Sequence, residues 1–363
     1  MKRPAVSVLM PCCNVEKYLR QCLDSVVNQT LQDIEIIVIN DGSTDGTLDI
    51  INEYAACDKR IRILDKANEG YGVSMNRGLD MATGEYVGIV EPDDWIEPDM
   101  FETLYAAAVK HDVDVVKAEF EFFDNDTGVT SPQWGIGLPS DLYETVIRPV
   151  EYPAILWDGH PSIWTCIYRT KILRDLNIRF AATPGASFQD MGFKVKTLIS
   201  AARFFYIPKT VLHYRKHSNN SDRQNNKVFA VCDVHNDIDA WVLDTPMAAS
   251  MNIKALLAQC RYANYFWNYN RLYGDAKDEF KKKFSDQLCL DMKNNLLKRD
   301  YFDDKAWYKM CFIAHPYRIW LPLMRFLRVI VSPIFRTKIS NNHKKWLLLN
   351  KVAIHNKKFP GGV

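Results

Sequence analysis

Carboxylates gather at a few points of this 363-residue sequence where a phosphorylated ligand would use them. Glu91-Pro92-Asp93-Asp94 holds three acids within four positions, directly after an apolar run. A divalent cation takes carboxylate oxygens on one side and phosphate oxygens on the other, so such a loop can neutralise a diphosphate that leaves as an anion. The same acids also suit a turn and a helix cap ahead of Trp95. Asn40-Asp41-Gly42-Ser43 forms a second polar loop. Its aspartate can accept hydrogen bonds from a base or ribose, and Gly42 lets a ligand approach the backbone; taken alone, it is a turn with a hydroxyl cap on the next helix. Gln189-Asp190 stands about a hundred residues further on, in front of a helical pattern. His213 and His217 follow an apolar run, and either imidazole could complete a metal shell or touch a diphosphate. Oxygen ligands suit Mg²⁺ and Mn²⁺ better. His217 is the stronger candidate because Arg215, Lys216 and Ser218 surround it with phosphate donors.

The elements that must position these groups are legible as alternation. Short β-branched runs at 5–10, 34–39, 61–64 and 86–90 are separated by stretches with apolar residues at helical spacing, among them Leu19, Cys22, Leu23 and Val26. That pattern predicts an α/β fold with a mostly parallel sheet covered on both faces, whose ligands lie beyond the carboxyl ends of the strands. The three polar loops at 11–14, 40–46 and 91–94 all follow such runs. A helix and strand follow over 99–123, an irregular stretch reaches about 160, and 225–300 reads as helical. No Gly-x-Gly-x-x-Gly stretch marks a dinucleotide site.

Four motifs in register carry a resemblance. VSVLMPCCN, IIVINDGSTDGT, NEGYGVSMNRGLDMATGEY and EPDDWI, in that order and spacing, resemble the family 2 glycosyltransferases of the GT-A fold, in particular those that build bacterial surface polysaccharides. The match is specific over residues 5–100 and extends more loosely to about 220. It implies a GT-A type, Rossmann-like nucleotide-diphospho-sugar transferase domain with a helical C-terminal region, and an inverting transfer of one sugar from a nucleotide donor, expected to be UDP-linked. By the same resemblance Pro11, Asn14 and Asp41 line the donor's base and ribose pocket. Asn68, Gly70 and Asn76 frame a loop near the diphosphate and sugar. Asp93 is the principal ligand of Mn²⁺ or Mg²⁺, with Glu91 and Pro92 beside it on the donor side. Asp190 corresponds to the general base. The chemistry is coherent: an acceptor hydroxyl attacking the anomeric carbon must lose a proton, and a carboxylate within hydrogen-bond reach can take it. The position of Asp190 also suits a helix cap.

The departures from the pattern are Cys13 where an aromatic is common, Met75 where arginine is frequent, Glu91 for the first aspartate of D-x-D, and Gln189 for the usual glutamate before the base. Losing that charge should make Asp190 easier to ionise. No Q-x-x-R-W segment, the mark of processive synthases, is present, so single addition is expected.

Composition sets the outer bounds. With 47% hydrophobic and 25% charged residues the chain is globular, and 46 basic against 44 acidic residues give no general pull toward nucleic acid. The charge is uneven, however: from Lys305 onward there are twelve Lys/Arg and no Asp or Glu. Arg318, Arg325 and Arg328 fall within about 80° on a helix, flanking Trp320, Leu323, Phe326 and Ile330, with Pro322 and Pro333 as interruptions. Such a segment can lie on an anionic membrane or pack on the domain. We therefore expect a catalytic domain at 1–222, a helical extension at 223–304 and a basic amphipathic tail at 305–363. The acceptor is expected to be a glycan, carried as a lipid-linked oligosaccharide. The nine cysteines form no C-x-x-C pair, and neither a signal peptide nor a run of 18 apolar residues occurs, so the expected location is cytoplasmic, peripheral at the inner face of the cell membrane. Two alternatives stand beside this reading, a silent nucleotide-sugar-binding scaffold and a nucleotidyltransferase. The second would want a basic glycine-rich stretch after the first strand, where Pro11-Cys12-Cys13-Asn14 stands.

Overall fold

The computed structural model describes residues 3–132, 138–158, 160–216, 227–297, 299, 302 and 304–314. The first two apolar runs become β1 (Val6–Cys12) and β2 (Ile34–Asp41), with every residue buried, as a strand covered on both faces requires. Between them α1 (Glu16–Val27) buries Leu19, Cys22, Leu23 and Val26, the stripe its spacing predicted. The alternation continues through α2 (Thr47–Cys57), β3 (Ile61–Lys66), α3 (Tyr71–Met81) and β4 (Tyr86–Ile89). Next come β5 (Trp95–Ile96), α4 (Met100–His111), β6 (Val115–Asp124) and β7 (Thr130–Pro132). They are followed by α5 (Ala154–Trp157), β8 (Cys166–Arg169), α6 (Thr170–Asp175), α7 (Gln189–Ser200) and β9 (Phe204–Lys216).

The strands form one sheet in the order β3-β2-β1-β4-β8-β6-β9-β5, with β7 on β6. The half from β3 to β4 is parallel throughout, as helical crossovers demand. Beyond β4 the pairing is mixed: β8 runs antiparallel to β4 and β6, β5 antiparallel to β9, and β6 parallel to β9. β8 enters from the irregular stretch after β6 rather than from a crossover helix, so nothing forces it parallel. The register between β6 and β9 shifts around Glu119, where β9 carries Pro208, which has no N–H to give a ladder.

Helices α8 (Ala230–Leu243), α9 (Met251–Arg271) and α10 (Gly274–Lys293) follow the sheet. They meet over the buried Arg261, whose guanidinium bonds Asp239 at 2.6 Å and Asp291 at 2.9 Å. The chain divides into two compact units, residues 1–302 and 303–363, and this helical region belongs to the first with the sheet. Of the second unit the structure describes α11 (Asp304–Ala314). The arginine stripe at 318–328 and His217 lie outside the described residues. Among the described residues, no helix is long and apolar enough to cross a membrane.

Candidate active site

The loops after β1 and β2 are tied to each other. Asn14, at φ +53°, accepts from the Thr44 N–H at 2.8 Å and donates its own N–H to Ser43 Oγ at 3.1 Å. Pro11 is buried within β1, opposite Ile39 of β2. Asp41 ends β2 with its carboxylate turned to protein partners: it accepts from Lys66 Nζ, from the Glu69 N–H at 2.8 Å and from the Gly70 N–H at 3.0 Å. Burial acts to raise its pKa, but the bonds from Lys66 and Glu69 prevail and hold it below the ordinary carboxylate value. Asn68 donates to the Asp41 carbonyl at 3.0 Å and to Cys13 Sγ at 3.3 Å. Asp41 and Asn68 thus lock the loop between β3 and α3, with Lys66 as a partner that the sequence patterns did not single out.

That loop delivers the start of α3 to the segment ahead of Asp190. Gly70 caps α3 at φ +89°, ψ 163°, a conformation only glycine adopts without strain. Asn76 grips the Phe180 backbone with both ends of its amide, accepting at 2.8 Å and donating at 3.0 Å. Met75 is buried in the core, so the position where arginine is frequent turns away from solvent. At Gly72 a Cβ would lie 2.0 Å from the Ala181 carbonyl oxygen. Gly72→Ala is therefore expected to cost about 3 kcal/mol, the upper end for overpacking, and to displace the segment leading to Asp190. Urea denaturation reads the first effect, and an unchanged midpoint would mean the helix yields freely.

Glu91 follows β4 and accepts a hydrogen bond from the Tyr71 hydroxyl at 2.7 Å. Burial pushes its pKa up to about 8, with the charges of Asp93 and Asp190 adding to the rise and the Tyr71 bond opposing it. Tyr71 and Glu91 touch directly, and the charges of Asp93 and Asp190 act on both, so residues from three separate loops share one electrostatic neighbourhood. Between the ordinary 4.5 and about 8 the folded chain holds one more proton here than the unfolded chain, so this group weakens the fold as pH rises through that window. In chelator, wild type should lose melting temperature relative to Glu91→Gln from pH 5 to 8. A constant difference would mean Glu91 titrates normally.

Pro92 is buried. Asp93 and Asp94 are held from behind by Arg215 of β9. Its backbone N–H donates to Asp94 Oδ1 at 2.8 Å and its Nε to the Asp93 carbonyl at 2.9 Å. Its two outer nitrogens reach Asn125 at 2.6 Å and Gln21 at 2.7 Å, and its guanidinium lies over the rings of Tyr18 and Trp95. Burial, with the charge of Asp93, pushes the Asp94 carboxyl well above the usual range. Arg215, expected beside His217 as a phosphate donor, is instead buried scaffolding. His213 lies within β9, between Glu97 and Glu121 at 2.7 Å each, and stacks on Trp95. Those partners, rather than the acids of the 91–93 loop, surround its imidazole.

Helix α7 begins two residues earlier than expected, so Asp190 lies inside its first turn, where Oδ1 accepts from the Met191 N–H at 2.7 Å. A carboxylate there is favoured by the helix dipole. Gln189 is buried and stitches the preceding loop, donating to Thr183 Oγ1 at 2.8 Å and the Gly185 carbonyl at 3.1 Å while accepting from the Ser187 N–H. A glutamate could not make the two donations, which gives the glutamine a structural reason. Tyr71 escaped notice in the sequence, though its place at the first position of a helix that opens from a converging loop was a usable signal.

Residues 7–176 match the family model described as glycosyl transferase family 2. The chain carries a family 2 glycosyltransferase domain. Among similar curated proteins, the putative glycosyltransferase EpsH of Bacillus subtilis is 34% identical over 222 residues, 60% of this chain and 62% of that protein. The uncharacterized glycosyltransferase YibD of Escherichia coli is 34% identical over 224 residues, 60% and 63% of the two chains. The chain thus spans less than two thirds of the length of these relatives. Among solved structures, S. aureus TarS 1–349 in complex with UDP-GlcNAc superposes with a TM-score of 0.62 at 22% identity, covering 78% of this chain and 80% of that one. The mannosyltransferase PcManGT of Pyrobaculum calidifontis, in complex with GDP-Man and Mn²⁺, gives a TM-score of 0.51 at 16% identity, with 93% and 89% covered. At those identities the likeness speaks to the fold, and the fold of this family 2 domain is GT-A.

Proposed function

We propose that this chain transfers one sugar from a UDP-linked donor to a glycan hydroxyl, with inversion at the anomeric carbon. The observation that carries the reading is the Tyr71–Glu91 hydrogen bond after β4, on which the charges of Asp93, from the same loop, and Asp190, at the start of α7, both act. One acidic pair faces the donor while a third carboxylate comes from a separate element. An inverting displacement needs that division, with the leaving group on one side of the sugar and the proton acceptor on the other. In this reading Asp190 takes the proton of the attacking hydroxyl. The loops fastened by Asn14, Asp41 and Asn68 cradle the nucleotide, and Asn76 and Gly70 hold the base segment against α3.

Among the described residues, no group of three His, Cys, Asp or Glu could hold a metal ion alone. Glu91 and Asp93 still fit a divalent cation of the Mg²⁺ or Mn²⁺ kind, which is commonly held by one or two carboxylates plus substrate phosphates. The upward push on Glu91 by neighbouring negative charge is a local field that a cation relieves. When bound there, such an ion neutralises charge on the departing diphosphate. Support for a lipid-linked acceptor at the inner face of the membrane comes from the acid-free, arginine- and lysine-rich sequence after Lys305.

A thermal-shift panel of nucleoside diphosphates and their sugars, with and without Mn²⁺, tests the reading, because ligand binding raises apparent stability by mass action. We expect a metal-dependent shift with a UDP-sugar, followed by slow UDP release. A shift without any release would leave a silent binding protein, and no shift with any nucleotide would sink the proposal.

A further inference from the structure

The helix that carries Asp190 opens against aromatic surface that proton transfer by itself does not require. Phe188, two residues before Asp190, sits at φ +63°, a left-handed backbone that is costly for a bulky side chain. Its ring meets Trp267 of α9 edge-on, with centroids 5.7 Å apart and planes at 83°. Trp267 is 53% exposed, although α9 buries much of its length against the rest of the unit.

One cation fixes this pair and a second ties down the loop before it. Arg271, one turn along α9, lies over both rings at 5.6 and 5.7 Å, and its Nε bonds Asn268 at 2.7 Å. Lys227 donates to the Ala186 carbonyl at 2.9 Å, a second fastening between the helical region and the loop before the base. A large indole thus stands half in solvent, held in one orientation against Phe188, two residues before the group expected to receive the acceptor's proton. Rigid aromatic surface gives much contact area for little lost entropy. The C–H face of a pyranose, weakly positive, complements the negative face of an aromatic ring.

We propose that Trp267, with Phe188, is the acceptor subsite of this transferase: a terminal sugar ring of the acceptor glycan packs on the indole and so presents its hydroxyl to Asp190. The inference rests on the transfer reading above, and it assigns to the helical region, rather than to the family 2 domain, the choice of acceptor.

Saturation-transfer-difference NMR with p-nitrophenyl glycosides of glucose, galactose, mannose and N-acetylglucosamine tests it without any donor. At least one glycoside should receive saturation from wild type through its ring protons. Trp267→Ala should weaken its binding about tenfold and Trp267→Phe less, since the smaller ring keeps part of the stacking surface. An unchanged melting temperature checks that the alanine variant is folded. Equal binding by Trp267→Ala would overturn the assignment, as would the absence of any binding glycoside in a wild type that binds its nucleotide sugar. Trp267-dependent sedimentation with phosphatidylglycerol vesicles, in place of glycoside binding, would also overturn it by assigning the indole to lipid. If glycosides bind through Trp267 while no nucleotide sugar binds, the transfer reading fails and the acceptor role with it, leaving the indole a sugar-binding surface only.

Discussion

Replacing Asp190 by Asn is expected to lower the rate of sugar transfer by about 10²–10⁴-fold, the usual worth of a positioned general base, with donor affinity close to wild type. The asparagine oxygen can still accept the Met191 N–H, so the first turn of α7 should persist. Glu91 lies under the charge of Asp190, and the substitution removes that charge, so the Glu91 pKa should fall from about 8 toward its ordinary value. Metal-dependent donor binding should therefore extend to lower pH in the variant. The decisive measurement is the transfer rate at saturating donor and acceptor, beside the donor dissociation constant. Full-rate transfer by Asp190→Asn would remove the residue from the chemistry.

Arg215→Ala is expected to cost about 3–5 kcal/mol of unfolding free energy, the range for removing one partner from a buried charged network. The side chain is buried, and its loss strips hydrogen-bond donors from the Asp93 carbonyl, Asn125 and Gln21 together. The backbone bond to Asp94 survives, yet the nearest positive charge does not, so the Asp94 carboxyl should be driven further toward its neutral form. Any shift of Asp93 would show as weaker metal-dependent donor binding. Arg215→Lys should not restore the wild type, because a single ammonium cannot span partners that a planar guanidinium reaches from three nitrogens. Chemical denaturation and donor titration check both parts. A lysine variant as stable as wild type would show that charge alone matters.

The parallel half of the sheet was readable because buried parallel strands write themselves as nearly continuous apolar runs, and Val6–Leu9, Ile36–Ile39 and Tyr86–Ile89 are such runs separated by stretches with helical spacing. The mixed half was not, because β8 and β5 are short and their direction depends on which strand they meet, information that local pattern does not hold. The acidic loop was visible by type and place. What the sequence hid was the inward role of polar residues: Asp41 turned to Lys66, Asn76 closed on Phe180, Arg215 folded beneath Asp93. An aspartate at the end of a strand looks the same whether it faces a ligand or a lysine 25 residues away. The divergence of Gln189 from glutamate could be seen, while its reason, two carbonyl or hydroxyl acceptors in the loop at 183–185, needed three dimensions.

The fastenings of the pocket also dictate when it can come into being. Asn76 waits for Phe180, 104 residues later in the chain, and Gln21 waits for Arg215, 194 residues later. During synthesis, then, the strands of the parallel half can pair early, but the cradle closes only after β9 has emerged and been threaded back into the sheet. Contacts of such long sequence separation form slowly, because the loop they close must first be ordered. A fragment ending before residue 204 should therefore collapse without acquiring donor affinity, and the nascent chain passes through a stage at which its acidic loop is made and unsupported.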